Sequence, residues 1–201
     1  MGGYYKRIGI MGGTFDPIHT GHLVAAESAK HGAVLDEVWF MPVYVPPHKS
    51  HAPEASPEER MEMVRLAVEP VNYFRSCDYE MQKGGVSYSY DTVCELKRMY
   101  PDSKFSYIIG ADMVEYLPKW HKINELVRMI TFIGLRRPGF SDDLSKLPAD
   151  LRQAVTIVPM PLLDISSTQI RQRIKRKDSV RFLVPDSVYQ HMKGMGLYEP
   201  D

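Results

Sequence analysis

Two histidines lie in a glycine-containing run near the N-terminus, and their spacing suits the binding of an anion. The run covers residues 12–22 and reads Gly-Gly-Thr-Phe-Asp-Pro-Ile-His-Thr-Gly-His. Gly12 and Gly13 would let a ligand approach the backbone closely. His19 and His22 are three positions apart, so at the start of a helix both imidazoles can donate to phosphate oxygens. The run is neither a Walker P-loop nor a Gly-x-Gly-x-x-Gly dinucleotide motif.

A second candidate anion site lies at residues 165–171, which read Ile-Ser-Ser-Thr-Gln-Ile-Arg. The spacing of Ser166 and Gln169 fits a helix capping box. The free N–H groups of that helix start can also bind phosphate, and Arg171 would add a planar fork of donors. Capping and phosphate binding are compatible, and capping alone would explain the serine.

Alternating strands and helices must position these two segments. The helix candidates are residues 19–31, 57–68, 88–99, 122–128, 167–176 and 186–193. The strand candidates, rich in Val, Ile, Phe and Tyr, are residues 5–11, 37–41, 72–79, 104–109, 130–135 and 154–159. This alternation predicts an α/β fold, a Rossmann-like doubly wound parallel sheet with helices on both faces.

Ligands of such sheets bind at the carboxyl ends of the strands. The turn at Gly12 and the turn at Gly110 both follow strand candidates, so both are expected at that edge. The proline-rich segment 42–56 is longer than a routine connection, which is typical of a functional loop. We expect one domain over residues 1–201, with an appended helical part over about 162–201.

Composition excludes several classes of function. Lys plus Arg and Asp plus Glu each number 25, so the net charge is zero, which argues against wholesale binding to nucleic acid or a membrane. The two cysteines are far apart and in no metal-type spacing, which favours reduced thiols in a cytoplasmic protein. The N-terminal apolar run is too short for a signal peptide. Small-molecule substrates are the expected partners, and a homo-oligomer is left open.

Segments along nearly the whole chain resemble one enzyme family. The Gly-x-Phe-Asp-Pro-x-His-x-Gly-His run and the segment 165–171 resemble the nucleotidyltransferase superfamily that carries a His-x-Gly-His motif. Further segments resemble bacterial nicotinate-nucleotide adenylyltransferases within that superfamily. They are Pro46-Pro47-His48-Lys49 and the segments 85–92, 110–112, 117–121 and 137–139.

The resemblance implies transfer of AMP from ATP to nicotinate mononucleotide, giving deamido-NAD and pyrophosphate, with Mg²⁺ carried by ATP and no metal bound by the protein. It implies catalytic roles for His19, His22 and Arg171. The implied ATP-binding residues are Gly12, Gly13, Thr14, Phe15, His19, His22, Gly110, Asp112, Arg137, Ile165, Ser167, Thr168 and Arg171. The implied mononucleotide-binding residues are Thr14, Phe15, Lys49, Tyr88, Ser89, Asp112 and Trp120.

Several of these positions also have an ordinary structural explanation. Trp120 could be a core aromatic, Ser89 or Asp112 a helix cap, and Lys49 or Arg137 a solvated charge. The two histidines could be surface or cap residues, or could join His48 and His51 in a zinc site, which the lack of cysteine or acidic ligands nearby makes the weaker hypothesis.

Two alternative functions stay open on the sequence. One is the same chemistry with nicotinamide mononucleotide or phosphopantetheine as the acceptor. The other is a non-catalytic nucleotide-sensing module that keeps the phosphate-binding segments.

Overall fold

Six strands form one parallel sheet in the part of the chain that the structure describes. The structure, a computed structural model, describes residues 5–45, 52–136 and 143–200, without the side chains of residues 111 and 112. The strands are β1 (Lys6–Gly13), β2 (Glu37–Pro42), β3 (Phe74–Ser76), β4 (Ser103–Gly110), β5 (Thr131–Arg136) and β6 (Val155–Pro159). Their order is β3-β2-β1-β4-β5-β6, and every neighbouring pair is parallel. The predicted Rossmann-like α/β fold is confirmed.

All six strand candidates are present, although β3 has three residues where 72–79 were predicted. The helices are α1 (Thr20–Gly32), α2 (Pro57–Val68), α3 (Tyr79–Lys83), α4 (Ser89–Met99), α5 (Ala111–Val114), α6 (Ile123–Leu126), α7 (Ala149–Ala154), α8 (Ser167–Lys175) and α9 (Asp186–Met195), with a 3₁₀ turn at Leu117–Lys119. The six predicted helices correspond to α1, α2, α4, α6, α8 and α9. The sequence analysis missed α3, α5, α7 and the 3₁₀ turn, because helices this short depend on packing and show no period of their own.

The helix starts follow from local capping. Ser166 accepts from the N–H of Gln169 in α8, so the predicted capping box is confirmed, and Ser56 accepts from the N–H of Glu59 in α2 in the same way. The last helix candidate, residues 186–193, ends two residues too early. The helix continues to Met195, and the left-handed residue that ends it is Gly196, with φ of 63°.

The sheet is buried on both faces, as the runs of apolar residues predict for parallel strands. In β2, Val38 and Phe40 belong to the hydrophobic cluster that includes Met63 of α2 and Val188 of α9. Trp39 and Met41 point to the other face, in a cluster that includes Leu96 of α4. Helices therefore cover both faces and leave the strand ends as the accessible edges.

The strand order reverses between β1 and β4, which lie side by side in the sheet. Both strands end in glycine, Gly13 and Gly110, at the carboxyl edge. Such a switch point opens a crevice between diverging connections, which is where ligands of this fold class bind. None of the helices over the described residues combines the length and the apolar character needed to cross a membrane.

Candidate active site

The turn after β1 brings bare backbone to the switch point. Gly12 is exposed, and a Cβ there would meet nothing closer than Tyr107 Cε1 at 3.9 Å. A Cβ on Gly13 would lie 2.9 Å from the ring of Phe15, so the fold itself requires glycine at this second position. Phe15 has a φ of 50°, in the left-handed region, and its ring is buried. The turn therefore folds back on itself and leaves the backbone at Gly12 open to a ligand.

The two histidines form one stacked pair at the start of α1. His19 occupies the N-cap position, and its ring centroid is 3.7 Å from that of His22. His22 Nδ1 accepts a hydrogen bond of 3.2 Å from the backbone N–H of His19. Because Nδ1 is the acceptor, the neutral ring carries its proton on Nε2, which is then a hydrogen-bond donor. The ring of Phe15 lies edge-on to His22 at 5.0 Å and restricts its orientation.

The start of α8 docks directly onto this turn. Ser167 Oγ donates to the carbonyl oxygen of Pro17 at 2.9 Å, and Arg171 Nη1 donates to the carbonyl oxygen of Asp16 at 2.7 Å. The partners are 150 and 155 positions apart in the sequence. Two helix N-termini, those of α1 and α8, therefore meet at the carboxyl edge, and each favours negative charge.

The Asp16 carboxylate stabilises the junction between α8 and the turn after β1. Its carboxylate accepts from the N–H groups of Glu54 and Ala55, at 3.0 and 3.1 Å, and from the Tyr198 hydroxyl at 2.8 Å. Arg171 Nη1 lies 3.6 Å from the same carboxylate. Burial, followed by the negative charge of Asp16, raises the pKa of Tyr198, so this phenol stays protonated as the donor. Asp16 thus joins α8, the segment before α2 and the segment after α9.

Glu54 is the carboxylate that pairs with Arg171 and with Lys175. Its carboxylate accepts from Arg171 Nε at 3.0 Å and lies 2.8 Å from Lys175 Nζ. The hydrogen bond from Lys175, followed by that from Arg171, holds the pKa of Glu54 below its ordinary range against the effect of burial. Arg171 therefore has a fixed orientation before any ligand binds.

A group of aromatic rings lies beside the turn after β1. Trp120 is partly buried and meets Tyr107 and Phe132 edge to face, each with a centroid distance of 5.9 Å. Tyr107 is also the side chain nearest to Gly12, so it joins this group to the turn. Burial raises the pKa of Tyr107, and the neighbouring Ser89 hydroxyl opposes that shift.

Ser89 is the first residue of α4 and does not cap it; the N-cap is Tyr88, whose ring packs on His121 at 4.6 Å. The capping explanation for Ser89 is therefore wrong. Trp120 is neither a fully buried core residue nor a free surface residue, because its edge contacts leave it partly exposed.

The remaining predicted positions fall in three groups. Gly110 ends β4, Ile165 lies next to Gly21 of α1, and Thr168 is exposed in the first turn of α8. Asp112 lies in α5, but its side chain is not described. Lys49 and Arg137 lie outside the described residues, as do His48 and His51 of the zinc hypothesis. Over the described ranges, no group of three or more His, Cys, Asp or Glu side chains could hold a metal ion.

Comparison with known proteins shows which family the chain belongs to. The cytidylyltransferase-like family model matches residues 10–173. A Bacillus subtilis protein named nicotinate-nucleotide adenylyltransferase is 44% identical over 194 residues, which cover 96% of this chain and 99% of the relative. A relative from Oceanobacillus iheyensis, named a probable nicotinate-nucleotide adenylyltransferase, is 46% identical over 193 residues, covering 96% and 97%. The chain belongs to the nicotinate-nucleotide adenylyltransferase family.

The fold is similar to that of a solved Plasmodium falciparum nicotinic acid mononucleotide adenylyltransferase complexed with NaAD. The two superpose with a TM-score of 0.78 at 21% identity, over 96% of this chain and 98% of the other. At this identity the likeness supports the fold alone, and the family membership stands on the closer relatives.

The sequence analysis missed two features that support the turn after β1, Arg60 and the partners of Asp16. Arg60 is fully buried and donates to the carbonyl oxygens of Thr14, Val43 and Tyr44. One signal was available: Arg60 precedes Met63, Val64 and Ala67 at helical spacing, so it lies on the apolar face of α2. No local pattern pairs Asp16 with Tyr198, which is 182 positions away.

We predict that Asp16→Ala lowers the free energy of unfolding by about 3 kcal/mol, because Arg171 and the two N–H groups lose a buried acceptor. Urea unfolding measures the change. The control is Glu62→Ala, which removes only a surface pair with Arg65 and should cost less than about 1 kcal/mol. Equal losses in the two variants would contradict an anchoring role for Asp16.

A second prediction concerns Glu80, which is buried and accepts a hydrogen bond from the Thr92 hydroxyl at 2.7 Å. Burial raises its pKa above the ordinary value of 4.5, although the Thr92 bond opposes the shift. The folded chain thus keeps a proton that the unfolded chain loses at lower pH. Stability from this group is fully present below pH 4.5 and falls as the pH rises through the folded pKa.

Urea unfolding near pH 4 and pH 8 should therefore show Glu80→Gln gaining stability relative to the unmodified protein as the pH rises. The control, Glu62→Gln, should show the opposite sign, because the Arg65 hydrogen bond lowers the pKa of Glu62. A pH-independent difference for Glu80→Gln would exclude the shift.

Proposed function

We propose that this protein transfers an adenylyl group from ATP to nicotinate mononucleotide, giving deamido-NAD and pyrophosphate in NAD biosynthesis. The observation that carries the proposal is the docking of α8 on the turn after β1, through the 2.7 Å bond from Arg171 to the carbonyl oxygen of Asp16. It provides one anion site with donors from two segments, and the names of the close relatives supply the acceptor.

The reaction needs positioned donors rather than a catalytic base. The second pKa of a phosphomonoester is about 6, so the phosphate of the acceptor is largely dianionic at pH 7. One of its oxygens attacks the α-phosphorus of ATP, and the bond to the β-phosphate oxygen breaks as pyrophosphate leaves. Catalysis then consists of alignment and of stabilising the charge on the transferring group and the leaving group.

We assign that stabilisation to His19, His22 and Arg171. The proton on Nε2 of His22 and the fixed guanidinium of Arg171 are the supporting features. Thr168, Ser167 and the backbone of residues 12–15 would contribute further donors to the triphosphate. Mg²⁺ would arrive as part of the ATP substrate, where it shares the charge of the phosphates.

The other ATP contacts that we propose come from Gly110, Asp112, Arg137 and Ile165. For the mononucleotide we propose Thr14, Phe15, Lys49, Tyr88, Ser89, Asp112 and Trp120. The pyridine ring would lie on the indole of Trp120, whose edge contacts with Tyr107 and Phe132 fix its orientation. The hydroxyl of Ser89 would serve the nicotinate carboxylate.

We further propose a single nucleotidyltransferase domain over residues 1–201, acting in the cytoplasm without nucleic-acid or membrane partners. The domain proposal is supported by the shared hydrophobic cluster, which includes Ile170 and Val188 of the last two helices together with Phe40 of the sheet. The location is supported by the free state of both cysteines.

Release of pyrophosphate tests the proposal directly. We expect release with ATP, Mg²⁺ and nicotinate mononucleotide, and much slower release with nicotinamide mononucleotide or phosphopantetheine as the acceptor. Preference for one of the latter two would replace the acceptor, and no release with any of the three would favour the nucleotide-sensing module.

The role of His22 has its own test. We predict that His22→Ala lowers kcat by roughly 100- to 1,000-fold, because one preorganised donor to the transition state is lost. The matched control is His31→Ala in the same helix, whose imidazole is exposed and pairs with Glu27. Circular dichroism should show both variants folded. Equal turnover in the two variants would remove His22 from the catalytic residues.

A further inference from the structure

Arg60 is a cation buried beneath the proposed phosphate site. Its exposed fraction is 0%, and no other lysine or arginine among the described residues is buried. Burial of a charge costs several kcal/mol unless it is compensated by strong partners. The chain therefore retains this guanidinium in a place where an apolar side chain of α2 would pack at less cost.

The partners of Arg60 are three carbonyl groups. Nη1 donates to the carbonyl oxygens of Thr14 and Val43, at 2.9 and 2.7 Å, and Nη2 donates to that of Tyr44 at 3.0 Å. These residues follow β1 and β2, the two strands that carry the turn and its neighbour. Within the described ranges no carboxylate forms an ion pair with the guanidinium, and the negative charges of Asp16 and Glu58 act on it from a greater distance.

The bond to Thr14 sets the direction of the next N–H group. In a trans peptide the C=O and the following N–H point in opposite directions. Because the Thr14 carbonyl points to Arg60, the N–H of Phe15 points away from it. The Gly13 carbonyl likewise accepts from the Val43 N–H at 3.0 Å, which turns the N–H of Thr14 away.

Thr14 and Phe15 thus offer two consecutive N–H donors, and the φ of 50° at Phe15 is left-handed. Successive N–H groups that include a left-handed residue are a known way of binding an anion. Arg60 holds one of the two peptides directly. Through Val43 it also fixes the segment that holds the other.

We propose that Arg60 is a positioning residue for phosphate binding, which holds the Thr14–Phe15 peptide with its N–H toward the triphosphate and places a positive charge beneath it. This inference rests on the proposed function, since it assigns the turn to the phosphates of ATP. It predicts that loss of Arg60 weakens ligands with a polyphosphate and leaves a nucleoside without phosphate unaffected.

The test compares Arg60→Met with Arg65→Met, a control in the same helix whose guanidinium is half-exposed and pairs with Glu62. Calorimetric titration measures the Kd of ATP, inorganic pyrophosphate and adenosine for each. We expect the Kd of ATP and of pyrophosphate to rise about 10-fold or more in Arg60→Met, and that of adenosine to stay within about twofold. Equal weakening of all three ligands, or equal behaviour of the two variants, would overturn the proposal.

If circular dichroism shows that Arg60→Met does not fold, the test uses the unmodified protein instead. Titration with inorganic pyrophosphate, followed by ¹⁵N NMR, should shift the amide resonances of Thr14 and Phe15 more than those of residues in α2. Unmoved resonances would refute the inference. Adenylyl transfer is measured separately: pyrophosphate binding at these amides without pyrophosphate release from ATP would contradict the proposed function and leave the role of Arg60 intact.

Discussion

The site depends on one contact, the attachment of the start of α8 to the turn after β1. Arg171 and Ser167 donate to the carbonyl oxygens of Asp16 and Pro17, which lie in that turn before α1. Without this attachment the N-termini of α1 and α8 would be two separate weak anion sites. In the proposed function they hold the several charges of a triphosphate together, because each contributes N–H donors and a positive helix end.

The charged side chains around this contact alternate in sign through the turn. Arg60 donates to the turn, and Asp16 lies in it. Arg171 lies near Asp16 and pairs with Glu54, which also pairs with Lys175. Each of these two carboxylates has a basic partner, whereas Arg60 donates to carbonyl oxygens. These five side chains carry three positive and two negative charges, an arrangement that would suit a polyanionic ligand although the chain as a whole is neutral.

The sequence predicted the fold because its signals are local. Alternating apolar residues on both faces of β2, and the capping boxes at Ser56 and Ser166, each specify an element without help from distant residues. The residues of the turn after β1 could be found for the same reason. What could not be predicted lies in long-range contacts. Helical spacing places Arg60 on the apolar face of α2, but no local pattern shows that its partners are the carbonyl oxygens after β1 and β2. The edge contacts of Trp120 with Tyr107 and Phe132 likewise join separate elements.

The bond between Asp16 and Tyr198 has a consequence for synthesis of the protein. A chain leaving the ribosome exposes residues in order, so the turn after β1 emerges long before Tyr198, 182 positions later. Until then the Asp16 carboxylate lacks one of its donors. The hydrogen bond that joins the turn after β1 to the segment after α9 therefore forms only after Tyr198 has left the ribosome.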